Sequence, residues 1–387
     1  MSDMATTTDT VLFVRTQRAE RVAPPKGPRG PLGWARAHLF SSPFNGLLTV
    51  LIVAAIAWVV PPLLDFLVFH AVWSGDDGRE ACLATAQNPD PGACWAFVRT
   101  WINFFVYGPY PMEERWRVNV FFALLAVGLV WMMWLDAPRR DLGAAYFFLA
   151  LPAASVVLLH GLPMIGLETI DTALWGGVLV TLVVATVGIV VSLPVGVLLA
   201  LGRRSEMPVV KLFSVIFIEF VRGVPLITVL FMASVMLPLF VPPAWSPDKL
   251  MRALVGIAIF SSAYMAEVVR AGLQSIPKGQ YEAAAALGLG YWRTLALVIL
   301  PQALKVTIPN IVNNAIALFK DTTLVFFVGI FDFLRTIEVA RNDPAWATPV
   351  TSFTGYAFAA MCYFVACHFM SRYASGVERR LGAADRR

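Results

Sequence analysis

Apolar residues run along this chain in blocks, most of them long enough to cross about 30 Å of hydrocarbon as a helix. The first three blocks cover roughly Phe44–His70, Val118–Leu135 and Leu142–Leu162. A fourth runs from Leu174 to Leu201, a fifth from Phe213 to Phe240 and a sixth from Leu250 to Leu273. The last two are Ala303–Phe319 and Phe353–Met370. The pattern predicts an all-α, polytopic membrane protein of about eight transmembrane helices. A soluble α/β enzyme would need short, punctuated apolar runs, and these are not.

Composition agrees with the pattern. Of 387 residues 58% are hydrophobic and 14% charged, where a soluble domain carries about a quarter charged residues. The net charge of +5 does not imply nucleic acid, because the basic residues sit between the blocks and at the termini. With both termini cytoplasmic, Arg139-Arg140, Arg203-Arg204 with Lys211, and the Lys278-to-Arg293 segment all fall inside. The segments Ser74–Arg117, Gly161–Asp171, Val241–Lys249 and Lys320–Val350 then fall outside, and none is a concentrated basic cluster. Residues 1–42, polar, basic and rich in Pro and Gly, are expected to be a mostly disordered cytoplasmic tail. Their hydrophobic run begins too late for a secretory signal peptide. Residues 377–387 form a second basic cytoplasmic tail.

Few residues suggest chemistry. Four scattered histidines show no metal-ligand spacing, and no G-x-x-x-x-G-K-[ST] loop is present, so the chain is not expected to hydrolyse ATP itself. Cys362 and Cys367 read as small apolar packing residues inside a span. Cys82 and Cys94 fall in the first external segment, where they either form a disulfide, given an oxidising compartment, or remain two free thiols. Charges near hydrocarbon need a partner or a wet path. Glu219 with Arg222, and Glu267 with Arg270, are spaced i,i+3 and can pair on one helix face. They are read either as self-neutralising packing pairs or as a gate on the substrate path. Thr307, Asn310, Asn313 and Asn314 lie near Pro309, with Lys320, Asp321 and Thr322 at the outer end of the span. These groups could serve a wet cavity or hydrogen-bond between helices.

The segment 274–300 is too polar to span and too apolar for a solvated loop. Pro277 stops the sixth block, and Tyr281–Leu287 reads as a short Ala-rich helix with Glu282 near its start. Gly288 and Gly290 end it and turn the chain into a second short helix, Tyr291–Leu300, with Pro301 placed to start the seventh span. Physics alone leaves two readings open: a surface that docks another protein, or an interfacial helix lying on lipid.

The run Glu282-Ala283-Ala284, then Gly288, Val298 and Leu300-Pro301, resembles the EAA motif of ABC importer permeases, with Val298 where that family usually has isoleucine. The resemblance extends from about Trp175 to Thr323. It includes Glu219–Leu226, Ala263–Glu267 and Lys320–Thr323, and it looks like the polar amino-acid branch: the histidine, glutamine and general L-amino-acid type, in particular the larger general L-amino-acid permease. It implies a type I ABC importer permease core over 171–376, following extra N-terminal spans and an external loop over 43–170 whose role it does not give. It implies a coupling helix that contacts an ATPase through Tyr281, Glu282, Ala283, Ala284, Gly288, Leu300 and Pro301. It further implies two ABC ATPase subunits that carry ATP and Mg, no cofactor on this chain, a periplasmic amino-acid-binding protein and a second permease. The long N-terminal extension favours a different chain as that second permease. A secondary transporter or channel would leave the loop unexplained, and an intramembrane enzyme would require catalytic groups converging in one cavity.

Overall fold

The computed structural model describes residues 30–75, 78–84, 88–134, 136–242 and 245–384. Over them the chain is helical, and the β pairing is confined to isolated bridges between Val72 and Cys94 and between Gly177 and Asp332. Contacts divide the chain into units 1–65 and 66–387.

The first unit holds α1 (Gly30–His38) and most of α2 (Pro43–Phe69). The predicted N-terminal tail lies mainly on residues outside the described ones, but its end is helical. In α1, Pro31 occupies the first turn, where a missing N–H is harmless, and Trp34 stacks on His38 one turn later at 5.2 Å. Ser42 caps α2 by accepting from the Asn45 N–H at 3.2 Å.

The second unit continues with α3 (Trp95–Tyr107), α4 (Met112–Met133), α5 (Arg140–His160) and α6 (Gly177–Arg204). It goes on through α7 (Pro208–Gly223), α8 (Leu226–Phe240), α9 (Lys249–Ser275), α10 (Lys278–Ala286) and α11 (Tyr291–Val328). It closes with α12 (Phe333–Arg341) and α13 (Pro349–Ala384). Seven helices among the described residues are long and apolar enough to cross a membrane, or eight if the bent pair α7 and α8 forms one span.

That bent pair covers the fifth predicted span, Phe213–Phe240. The chain turns by 103° between α7 and α8. Pro225 disfavours helical angles at the residue before it, and Val224 is accordingly extended at φ −107° and ψ 135°. Other prolines lie within helices, and three of them share one device. Pro152, Pro238 and Pro301 each follow a widened, π-type turn, at Tyr146–Ala150, Met232–Met236 and Leu295–Ile299 respectively. Such a turn accommodates the carbonyl that proline cannot serve and relieves the clash with its ring. Likewise, α13 carries the predicted C-terminal tail in helical form as far as Ala384.

Helices α6 and α9 form the most intimate pair. Gly196 of α6 faces Met265, and a Cβ there would come within 2.8 Å of that side chain, so the backbones approach through a missing side chain. One cluster of buried side chains joins Phe121 and Leu125 of α4, Phe147 and Leu151 of α5, Val180 of α6 and Ile257 of α9. The extra spans α4 and α5 therefore share a core with the later helices. At the end away from α10, Arg117 is buried, pairs with Glu114 at 2.7 Å and donates to the Glu168 carbonyl at 2.8 Å.

A second cluster organises that same end. Phe97 and Phe105 of α3 pack with Phe333 and Ile337 of α12, and with Trp346. Cys82 is bonded to Cys94, whose N–H donates to Thr354 Oγ1 at 2.9 Å. The segment predicted as a polar external loop thus contains an amphipathic helix and forms a packed cap.

Asp332 is fully buried in this cap. Its carboxylate accepts from the N–H groups of Leu334 at 3.2 Å and Arg335 at 3.0 Å, capping α12, and burial pushes its pKa from 3.8 up to about 7. The native state therefore holds the proton more tightly than the unfolded chain. This contribution to stability is complete below 3.8 and is lost as pH rises through about 7. Asp332→Asn keeps a capping oxygen and removes the titration. In detergent the variant should melt a few degrees above wild type at about pH 8, with the gap closing as pH falls toward about 4. A gap independent of pH would contradict this account of Asp332.

Candidate coupling and transport site

The backbone turns sharply at the end that bears Arg203 and Arg204. Ile276, ahead of Pro277, is extended at φ −76° and ψ 124°, and this ends α9. Helix α10 then runs to Ala286 and closes in a two-bond C-terminal cap. The Gly288 N–H donates to the Ala285 carbonyl at 2.9 Å and the Leu289 N–H to the Ala284 carbonyl at 3.1 Å. The cap requires a left-handed residue, and Gly288 supplies it at φ +73° with open space where a Cβ would stand.

The inner face of this hairpin is fixed to the spans. Tyr281 packs beside a cluster that includes Ala200 of α6, Leu273 of α9 and Ile299 of α11, and Ala284 is buried. One Arg204 nitrogen donates to both the Tyr281 hydroxyl and the Leu273 carbonyl, each at 3.2 Å. Gln302 of α11 donates to Gln280 at 3.1 Å. The outer face is uncovered among the described residues: Leu287 is 79% exposed, Tyr291 62% and Trp292 71%, with Glu282 and Ala283 also exposed. Bulky apolar side chains gathered on a polar end mark a contact surface.

The second short helix expected over Tyr291–Leu300 is instead the first part of α11, joined through the widened turn at Leu295–Ile299. Pro301 therefore lies within α11 and does not start it. Leu300 packs against the inner cluster, and Pro301 borders a groove on another side of α11. Tyr281, Glu282, Ala283, Ala284 and Gly288 are brought together in the hairpin; Leu300 supports it from α11, and Pro301 lies on another side of that helix.

An ion cluster lies at the junction of α6, α7 and α9. Glu267 accepts from Arg203 at 2.8 Å and from Arg270 at 2.8 and 2.9 Å, with Arg222 at 3.8 Å. The predicted Glu267–Arg270 pair forms. Glu219 takes Arg203 at 2.8 Å as its partner in place of Arg222, which turns to Glu267 and lies over the Tyr264 ring at 5.5 Å. Arg203, Arg222 and Glu267 come from three different helices, and pairing across helices displaces the pairing along α7. Arg203 is the member that sequence reasoning missed. Its basic doublet signalled orientation, and nothing local signalled a partner 64 residues away.

The polar residues of α11 divide by face. Thr307 is buried and returns its hydroxyl to the Ala303 carbonyl at 2.9 Å. Thr322 is also buried, donating to the Phe319 carbonyl at 2.8 Å. Asn310, Asn313 and Lys320 lie exposed along one stripe, with Asn314 and Asp321 half-buried beside it.

The chain also has recognisable relatives. Residues 192–383 match the family of the binding-protein-dependent transport system inner membrane component. An inner membrane amino-acid ABC transporter permease protein of Escherichia coli is 49% identical over 90% of this chain and 92% of its own length. A glutamate/glutamine/aspartate/asparagine transport system permease protein of Rhodobacter capsulatus is 40% identical over 95% of this chain and 98% of its own. Among solved structures, an amino acid ABC transporter crystallised with histidines aligns with 60% of this chain and 98% of its own at 28% identity and a TM-score of 0.46. With two relatives matched over 90% and 95% of its length, the chain belongs to the multi-pass inner-membrane permease components of ABC-type amino-acid importers.

Proposed function

We propose that this permease imports polar L-amino acids by alternating access, driven by ATP hydrolysis on separate subunits that dock on the α10 hairpin. The observation that carries the reading is the two-sided hairpin. Its inner face is tied to α6, α9 and α11 through Arg204, Tyr281 and Gln302, while its outer face presents Glu282, Leu287, Tyr291 and Trp292 to a missing partner. A movement of that partner would pass directly into the spans. Both termini and the hairpin are then cytoplasmic, in keeping with the basic residues at that end. The disulfide-bonded cap would lie in the periplasm, facing an amino-acid-binding protein. Two ATPase subunits carry ATP and Mg, and a second, different permease completes the pathway.

The exposed asparagine stripe of α11 supports a substrate path at the boundary with that second permease. Amide side chains turned to lipid are costly, whereas beside a wet path they can meet the carboxylate and ammonium of an amino acid. Asn313→Leu is expected to change the ratio of glutamate to glutamine uptake about tenfold; an unchanged ratio across several amino acids would remove the stripe from the path.

The reading as a whole is tested by reconstituting the permease with its partner subunits in liposomes. Accumulation of labelled glutamine should require ATP and the binding protein. Uptake by the permease alone, driven by an ion gradient, would point to a secondary transporter instead.

A further inference from the structure

The extra spans enclose a groove that the transport reading does not use. It has a volume of about 1070 Å³ and lies between α4 and α5 on one side and α6, α11 and α13 on the other. Its walls are apolar along most of their length, with Leu129, Phe148, Ile189, Ile308 and Phe369 among them. Polar side chains gather at the mouth, where Arg140, Lys305 and Arg380 stand with Asp141 and Tyr373.

Charge at the mouth is unbalanced. Arg380 is committed to Asp136 at 3.0 Å, and Arg140 donates one N–H to the Met132 carbonyl at 3.0 Å. Lys305 is exposed and has no hydrogen bond or ion pair among the described residues. Asp141 offsets one of the three cations, and the mouth stays basic. The lining does not suit the transported amino acid, whose charges would be stranded among leucine, isoleucine and phenylalanine.

We infer that the groove binds one phospholipid with an anionic headgroup, its acyl chains along the apolar walls and its phosphate against Arg140 and Lys305. A basic mouth above an apolar groove matches such a lipid in both charge and polarity. In the orientation proposed above the lipid belongs to the inner leaflet, although binding in detergent does not depend on that orientation or on transport. The lipid would fill the space between the extra spans and the shared core, giving α4 and α5 a role in holding it.

The test uses the assembled transporter, purified, stripped of lipid and titrated with phosphatidylglycerol or phosphatidylethanolamine of matched chains. Native mass spectrometry should show phosphatidylglycerol retained preferentially. Lys305→Gln, which breaks no contact within the fold, should weaken its binding about fivefold, and the double change with Arg140→Gln should weaken it further. Phosphatidylethanolamine, whose ammonium offsets the charge of its phosphate, should respond less to either change. Equal retention of the two lipids, or undiminished phosphatidylglycerol binding in the double variant, would overturn the inference. So would efficient cross-linking of a cysteine at Phe369 to the second permease, which would show that a protein covers the groove.

Discussion

Gly288→Val is expected to leave the permease inserted and assembled while lowering ATP-driven uptake more than tenfold. The reason is conformational. Gly288 sits at φ +73°, and the space beside it is open, so a side chain meets no steric barrier but must adopt a left-handed backbone. For a β-branched residue that conformation is disfavoured by about 1–2 kcal/mol or more. This is comparable to the two hydrogen bonds that close α10, so the cap should open and the hairpin should lose its fixed angle to α11. ATP hydrolysis should persist but no longer drive transport. Gly288→Asn, which tolerates left-handed angles, should retain most uptake. Normal transport by the valine variant, or equal failure of the asparagine variant, would show that the turn itself is not what couples.

The second large effect concerns Glu267. Its side chain is 16% exposed and has three guanidinium groups around it, whereas Glu219 is 55% exposed and pairs with Arg203. Glu267→Gln would leave Arg203, Arg222 and Arg270 facing one another close to hydrocarbon. Breaking a buried ion pair costs about 3–5 kcal/mol, and the partial exposure of this cluster reduces that figure. Uptake is expected to fall more than tenfold, together with the amount of assembled transporter. Glu219→Gln should stay within about twofold, as for an exposed pair. Equal effects of the two changes would mean that the cluster is not centred on Glu267.

The sequence made some of these features legible and hid others, for physical reasons. Hydrocarbon demands about twenty apolar residues per helix, so the spans appear directly in the hydropathy pattern. The hairpin was legible because Pro277 and Gly288 specify backbone angles locally. The break after Gly223 was not, since Val224-Pro225 lies in a continuous apolar block and hydropathy carries no information about direction. Helix α3 was hidden for the opposite reason: it is amphipathic, buries only one face in the cap, and lies in a segment whose average is polar. The partners in the ion cluster depend on how α6, α7 and α9 meet, which i,i+3 spacing cannot anticipate. The groove behind α11 depends likewise on the packing of α4 and α5 against the later helices.

Docking of an ATPase on the α10 hairpin is tested most directly by cross-linking. A cysteine at Leu287, on the exposed outer face, would be challenged in membranes containing the whole transporter. It should form a cross-link to the P-loop ATPase subunit, and a cysteine at Ser246, on the opposite end, should not. If Leu287→Cys instead reacts with a membrane-impermeant reagent applied from the periplasm and never links to the ATPase, both the orientation and the coupling role of the hairpin are wrong.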